Sequence, residues 1–69
     1  MKAIEHLGAR VRQLREARHL TQESLAEAAG LATKHLQDIE RGRTNPTLAT
    51  LVGLARALGV GIHTLLLDG

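Results

Sequence analysis

The chain contains no cysteine, phenylalanine, tyrosine or tryptophan, and only one proline. Without cysteine there can be no disulfide, thiolate catalysis or cysteine-rich zinc site, and a reducing, cytoplasmic setting is the expected one. Without aromatic rings, a core must come from Leu, Ile, Val and Ala alone, so a small domain has to pack its helices well or gain a partner. Long apolar runs are missing too. The longest is Leu65-Leu66-Leu67, far short of the ~18 residues of a membrane span, and Met1-Lys2-Ala3 has no apolar signal core. A soluble, unexported chain that makes no membrane contact is expected.

What is present suits a single small domain over residues 1–69. The 69 residues are 43% apolar and 23% charged, ordinary for a globular protein and too apolar for disorder. Net charge is +2, which hints at a polyanionic partner without requiring one. Residues 1–20 carry five basic and two acidic groups, 21–40 one and four, and 41–69 three and one.

Helical periodicity runs throughout, and no window alternates as a half-buried strand would. Ile4, Leu7, Val11 and Leu14 place one apolar stripe on a helix over about residues 3–18. It should end near His19, a residue type enriched at positive φ. Thr21 can cap a second helix, with Leu25, Ala26 and Ala29 inward, and Gly30 can end it in the left-handed conformation. A third helix follows over about Thr33–Arg41, with Leu36 and Ile39 inward and Gly42 as its stop. Asn45-Pro46 predicts a fourth start, Asn as cap and Pro at the first helical position. Leu48, Leu51, Val52, Ala55 and Leu58 are its expected buried stripe. A fifth short helix over Ile62–Leu67 should close the core through Leu65 and Leu66. The expected fold class is all-α, a compact five-helix domain.

A capped short helix, a glycine turn and a second short helix with a polar outer face form a helix-turn-helix pattern. Six segments match one family together: Leu14-Arg15-Glu16, Leu20-Thr21-Gln22-Glu23, Leu25-Ala26, Gly30-Leu31, Ile39-Glu40-Arg41-Gly42 and Asn45-Pro46-Thr47-Leu48. From Leu7 to Leu66 the chain resembles the lambda-repressor/Cro-like helix-turn-helix family. The resemblance implies a regulator, repressor or autoregulator, of double-stranded DNA whose third helix lies in the major groove. The residue pattern agrees. Opposite Leu36 and Ile39, the residues Lys34, Gln37, Asp38 and Arg41 point outward, with Thr33 and His35 on the flanks.

Thr33, Lys34, Gln37 and Asp38 are the candidate base readers. Lys34 can donate to guanine, Gln37 can pair with adenine, and Asp38 can accept from cytosine or instead orient Lys34 one turn away. Gln22 stands at the family's phosphate-contacting position, and Arg43, Thr44 and Asn45 in its backbone-gripping loop; His35 and Arg41 join them as candidate phosphate contacts. The resemblance further implies a partly buried Arg15–Glu40 ion pair that aims the third helix. Four positions depart from the family. Ala32 replaces the usual Ser or Thr cap, leaving Thr33 to take that role with the helix start shifted by one residue. His19 replaces a glycine, and Ser24 an acidic residue that would complete a capping box. Gly53 interrupts the fourth helix, at about 1 kcal/mol relative to Ala, or allows another helix to approach.

Other chemistries find little support. No two of the four histidines stand three or four residues apart, so no metal site and no cofactor are expected. Ser24 is the lone serine, there is no nucleophile elbow, and a chain this short leaves little volume for a substrate pocket, so no enzyme is expected. The rival reading is an antitoxin-like module that uses the same fold to hold a protein partner. A homodimer is expected, with Ile62, Leu65 and Leu67 at a two-fold contact, on an inverted repeat with half-sites about 34 Å apart.

Overall fold

A computed structural model describes residues 2–66, with side chains from His6 onward. The side chain of Ile4 and all of Leu67 lie outside the described residues. Five helices follow in order: α1 (Lys2–Ala17), α2 (Gln22–Ala29), α3 (Thr33–Glu40), α4 (Leu48–Leu58) and α5 (Ile62–Leu66). The described residues contain no strand, and none of their helices is long and apolar enough to cross a membrane.

The turns follow from a few backbone-permissive positions. His19 takes φ 56°, Gly30 φ 73°, Gly42 φ 71° and Gly59 φ 71°; each turns the chain back and lets following N–H groups reach carbonyls of the ending helix, as Leu31 does with Ala26 at 2.8 Å. The start of α2 carries a complete capping box. The Ser24 N–H donates to Thr21 Oγ1 at 3.0 Å, and the Thr21 N–H donates to Ser24 Oγ at 3.0 Å. The expectation that Ser24 leaves the box incomplete is therefore corrected: its hydroxyl reaches back as a carboxylate would. At α3 the N-cap is Ala32, with no side-chain bond, and the helix begins at Thr33 without a shift. Arg41 is its C-cap, just beyond the last helical turn.

The fourth helix corrects two expectations. Its N-cap is Thr47, whose Oγ1 accepts from the Thr50 N–H at 3.2 Å, so Asn45 and Pro46 fall in the preceding loop. Its buried face is Leu51, Leu54, Ala55 and Leu58, while Leu48 is 68% and Val52 41% exposed. The sequence Leu51, Leu54, Ala55, Leu58 is itself an i, i+3, i+4, i+7 stripe; starting the count at Leu48 rotates the face by part of a turn, so Leu51, Ala55 and Leu58 are buried as expected and Leu54 takes the place of Leu48 and Val52. Of Leu65 and Leu66, both expected to close the core, Leu65 does so at 1% exposure while Leu66 is 57% exposed.

One aliphatic cluster joins all five helices: Leu7 and Val11 of α1, Leu25 and Ala26 of α2, Leu36 and Ile39 of α3, the α4 face, and Leu65. Two glycines let helix backbones meet. A Cβ on Gly53 would lie 2.9 Å from the Ala29 carbonyl oxygen, so α4 runs against the end of α2. A Cβ on Gly8 would land on the carbonyl oxygen of Ile39 and 2.9 Å from that of Glu40, so α1 rests on the last turn of α3.

Candidate nucleic-acid interface

The apolar side chains that α3 buries are Leu36 and Ile39; the rest of its residues are polar. Lys34 and Arg41 are exposed, and Thr33, His35, Gln37 and Asp38 are half-buried along the same helix. Lys34 Nζ lies 3.5 Å from Asp38 Oδ1, one turn on, so Asp38 faces Lys34. Such an exposed pair holds two side chains loosely, at under ~1 kcal/mol.

The carboxyl end of α3 is held by charge. Arg15 Nε donates to Glu40 Oε2 at 2.7 Å and Arg15 Nη2 to Glu40 Oε1 at 3.2 Å, while Nη1 donates to the Leu20 carbonyl at 2.9 Å. The two side chains keep only 12% and 3% of their surface. Bidentate geometry and the extra carbonyl satisfy most of the guanidinium fork, the condition under which a buried pair holds. The hydrogen bonds to Glu40 raise the Arg15 pKa above its already high ordinary value. Arg15 and Glu40 thus tie the last turn of α1 to the end of α3, about two turns beyond the Gly8 contact.

Gln22, at the start of α2, joins this arrangement. Its Nε2 donates to Glu40 Oε1 at 3.1 Å, and its Oε1 accepts from Gln37 Nε2 at 3.4 Å. A polar cleft of about 300 Å³ opens alongside, lined by Arg12, Arg15, Gln22, Glu40 and Arg41. Arg15 and Glu40 neutralise each other, and Arg12 is itself shared with Glu16 at 3.3 Å; Arg41 leaves the cleft mouth positive. Arg43 and Asn45 are exposed and Thr44 half-buried in the loop after α3.

The structure therefore brings together Gln22, Gln37, Glu40, Arg15 and Arg41 and leaves Lys34 and Asp38 paired with each other. Sequence reasoning treated Gln22 and Gln37 as separate contacts and overlooked both Gly8 and Arg12. Arg12 was findable, being one turn before Arg15 on the same face; Gly8 was not, since its role lies in a contact with distant backbone. At α5 the expected two-fold contact changes. Leu65 is in the core and out of a second chain's reach, Ile62 is half-buried against that core, and Leu66 is the exposed residue. Among the described residues no cluster of His, Cys, Asp or Glu could hold a metal ion.

Known proteins resemble this chain in sequence and in fold. The chain is 47% identical over 57 residues to the HTH-type transcriptional regulator DdrOP3 of Deinococcus deserti, covering 83% of this chain and 44% of that regulator; it thus spans less than half of that relative's length. The restriction-modification controller protein C.AhdI from Aeromonas hydrophila superposes with a TM-score of 0.92 at 35% identity, over 94% of this chain and 98% of that one. The biofilm master regulator SinR, solved in complex with DNA, gives a TM-score of 0.82 at 39% identity, over 87% and 97% of the two chains. Residues 11–65 match the family model described as Helix-turn-helix, and the chain belongs to that helix-turn-helix family.

Proposed function

We propose that the chain is a sequence-specific transcriptional regulator of double-stranded DNA, a repressor or autoregulator acting in the cytoplasm at the nucleoid, with α3 in the major groove. The observation that carries this reading is α3 itself, a helix that buries two apolar side chains, leaves Lys34, Gln37 and Asp38 accessible and is aimed by Arg15 and Glu40. Two likenesses support it, to a DdrOP3-type transcriptional regulator and to SinR, whose structure contains DNA. A major groove admits one such helix, and its base edges suit the donors and acceptors of Thr33, Lys34, Gln37 and Asp38.

In this reading Gln22, His35, Arg41, Arg43, Thr44 and Asn45 grip phosphates on either side of α3 and set its register. Gln22 keeps one N–H for that purpose after its bond to Glu40. Two copies bind an inverted repeat. Their contact draws on the apolar side chains that the core leaves out, Leu48 and Val52 one turn apart on α4 and Leu66 on α5. Those same side chains favour a second reading, a module that holds a different protein.

Salt titration separates the two. A DNA regulator loses affinity as log K falling by roughly 0.9 per phosphate neutralised for each unit of log salt, and Lys34→Ala changes which sequence it prefers. Affinity for DNA independent of salt, with the same preference in Lys34→Ala, would overturn the proposal.

A further inference from the structure

We infer that Glu40, acting through Gln22, fixes which way round the Gln37 carboxamide faces DNA, and so makes Gln37 a reader of adenine rather than guanine. The inference rests on α3 entering the major groove as proposed above.

The direction follows from what each group can do. A carboxylate only accepts hydrogen bonds and a guanidinium only donates. Glu40 Oε1 receives Arg15 Nη2 at 3.2 Å and Gln22 at 3.1 Å, so the Gln22 group facing it must be the NH2. The Gln22 carbonyl oxygen then faces the other way, toward Gln37 at 3.4 Å. Only the NH2 of Gln37 can meet it; reversed, two carbonyl oxygens would confront each other. Arg15 secures the start of this relay by holding Glu40 from both oxygens, and the Glu40 side chain keeps only 3% of its surface.

Gln37 is left with its carbonyl oxygen and one N–H to present. In the major groove adenine shows a donor at N6 beside an acceptor at N7, whereas guanine shows two acceptors, O6 and N7. The presented pair complements adenine and sets oxygen against oxygen at guanine. A Gln37 free to turn would offer donors to guanine as readily, so the choice between the purines lies in Glu40 and Gln22, neither of which needs to touch the base.

The test compares Gln22→Met and Gln22→Lys with the wild-type chain on every single-base-pair variant of a site selected from random DNA, Gln37→Ala marking the pair that Gln37 reads. Removing a phosphate contact lowers affinity for all sequences alike, so the readout is preference at that one pair. The wild-type chain is expected to favour adenine over guanine there by roughly ten-fold. Gln22→Met should reduce this to near parity. Gln22→Lys, which donates to both neighbours and turns Gln37 round, should shift the preference to guanine. In the DNA-free protein, NMR should show the Gln37 side-chain amide protons moving to solvated positions in Gln22→Met. Adenine preference unchanged in both variants, or Gln37 amide signals indifferent to Gln22→Met, would overturn the relay alone. A wild-type chain that selects no site at all would overturn the groove reading, and the adenine assignment with it, whatever the amide signals show.

Discussion

Gly8 of α1 lies directly against the carbonyl oxygen of Ile39, leaving no room for even a methyl group between the first helix and the last turn of the third. The neighbouring Glu40 carbonyl is also within 2.9 Å of where a Cβ would stand. Both obstacles are backbone, which cannot rotate aside.

Gly8→Ala should therefore destabilise the fold. Helix propensity alone would favour the alanine by about 1 kcal/mol, but relieving the overlap means pushing α1 off α3, and such overpacking commonly costs about 1–3 kcal/mol. Urea denaturation is expected to show a net loss. A more stable Gly8→Ala protein would mean that the two helices part easily.

The Arg15–Glu40 pair is the second tie between these helices. Arg15→Met and Glu40→Met should each lower stability by about 3 kcal/mol, because each strands a buried charge, and the double variant should lose much less than their sum. Thermal melting of all three checks this; equal melting points would contradict it. The raised Arg15 pKa contributes fully at any pH below the already very high unfolded value and is lost only as pH rises past the still higher folded one. The guanidinium accordingly adds no pH dependence to stability between pH 5 and pH 10.

Caps give a cleaner contrast. Thr47→Ala should cost about 1 kcal/mol by removing the N-cap of α4, and Ser24→Ala a similar amount by opening the capping box of α2. Asn45→Ala, two residues ahead of the observed cap, should leave thermal stability almost unchanged. A large loss in Asn45→Ala beside a neutral Thr47→Ala would place the start of α4 at Asn45 after all.

This contrast also marks where the sequence stopped being legible. His19, Gly30, Gly42 and Gly59 could be read as left-handed stops because the backbone demands it of few residue types. Between Asn45 and Thr47 local chemistry does not choose, since both are good caps; tertiary packing does. The α4 segment is apolar nearly all round, with Leu48, Leu51, Val52, Leu54 and Leu58, so periodicity fits more than one face. The polar face of α3 was legible from Leu36 and Ile39 alone. The Gln22–Gln37 bond was not, because it depends on how α2 crosses α3 and on which side chain Glu40 has left to accept.

Charged substitutions should test the contact between copies without touching the core. Leu48→Glu and Leu66→Glu alter exposed side chains, so folding should persist while sedimentation at high micromolar concentration shifts from dimer toward monomer. A wild-type chain that sediments as a monomer, both free and on DNA, would contradict the homodimer.

The most direct test of the account is selection of bound duplexes from a random pool at low ionic strength. An α3 lodged in the major groove, two copies at a time, should enrich an inverted repeat with half-site centres about 34 Å apart, and Lys34→Ala should enrich a different half-site. Enrichment of no motif by the wild-type chain would contradict it.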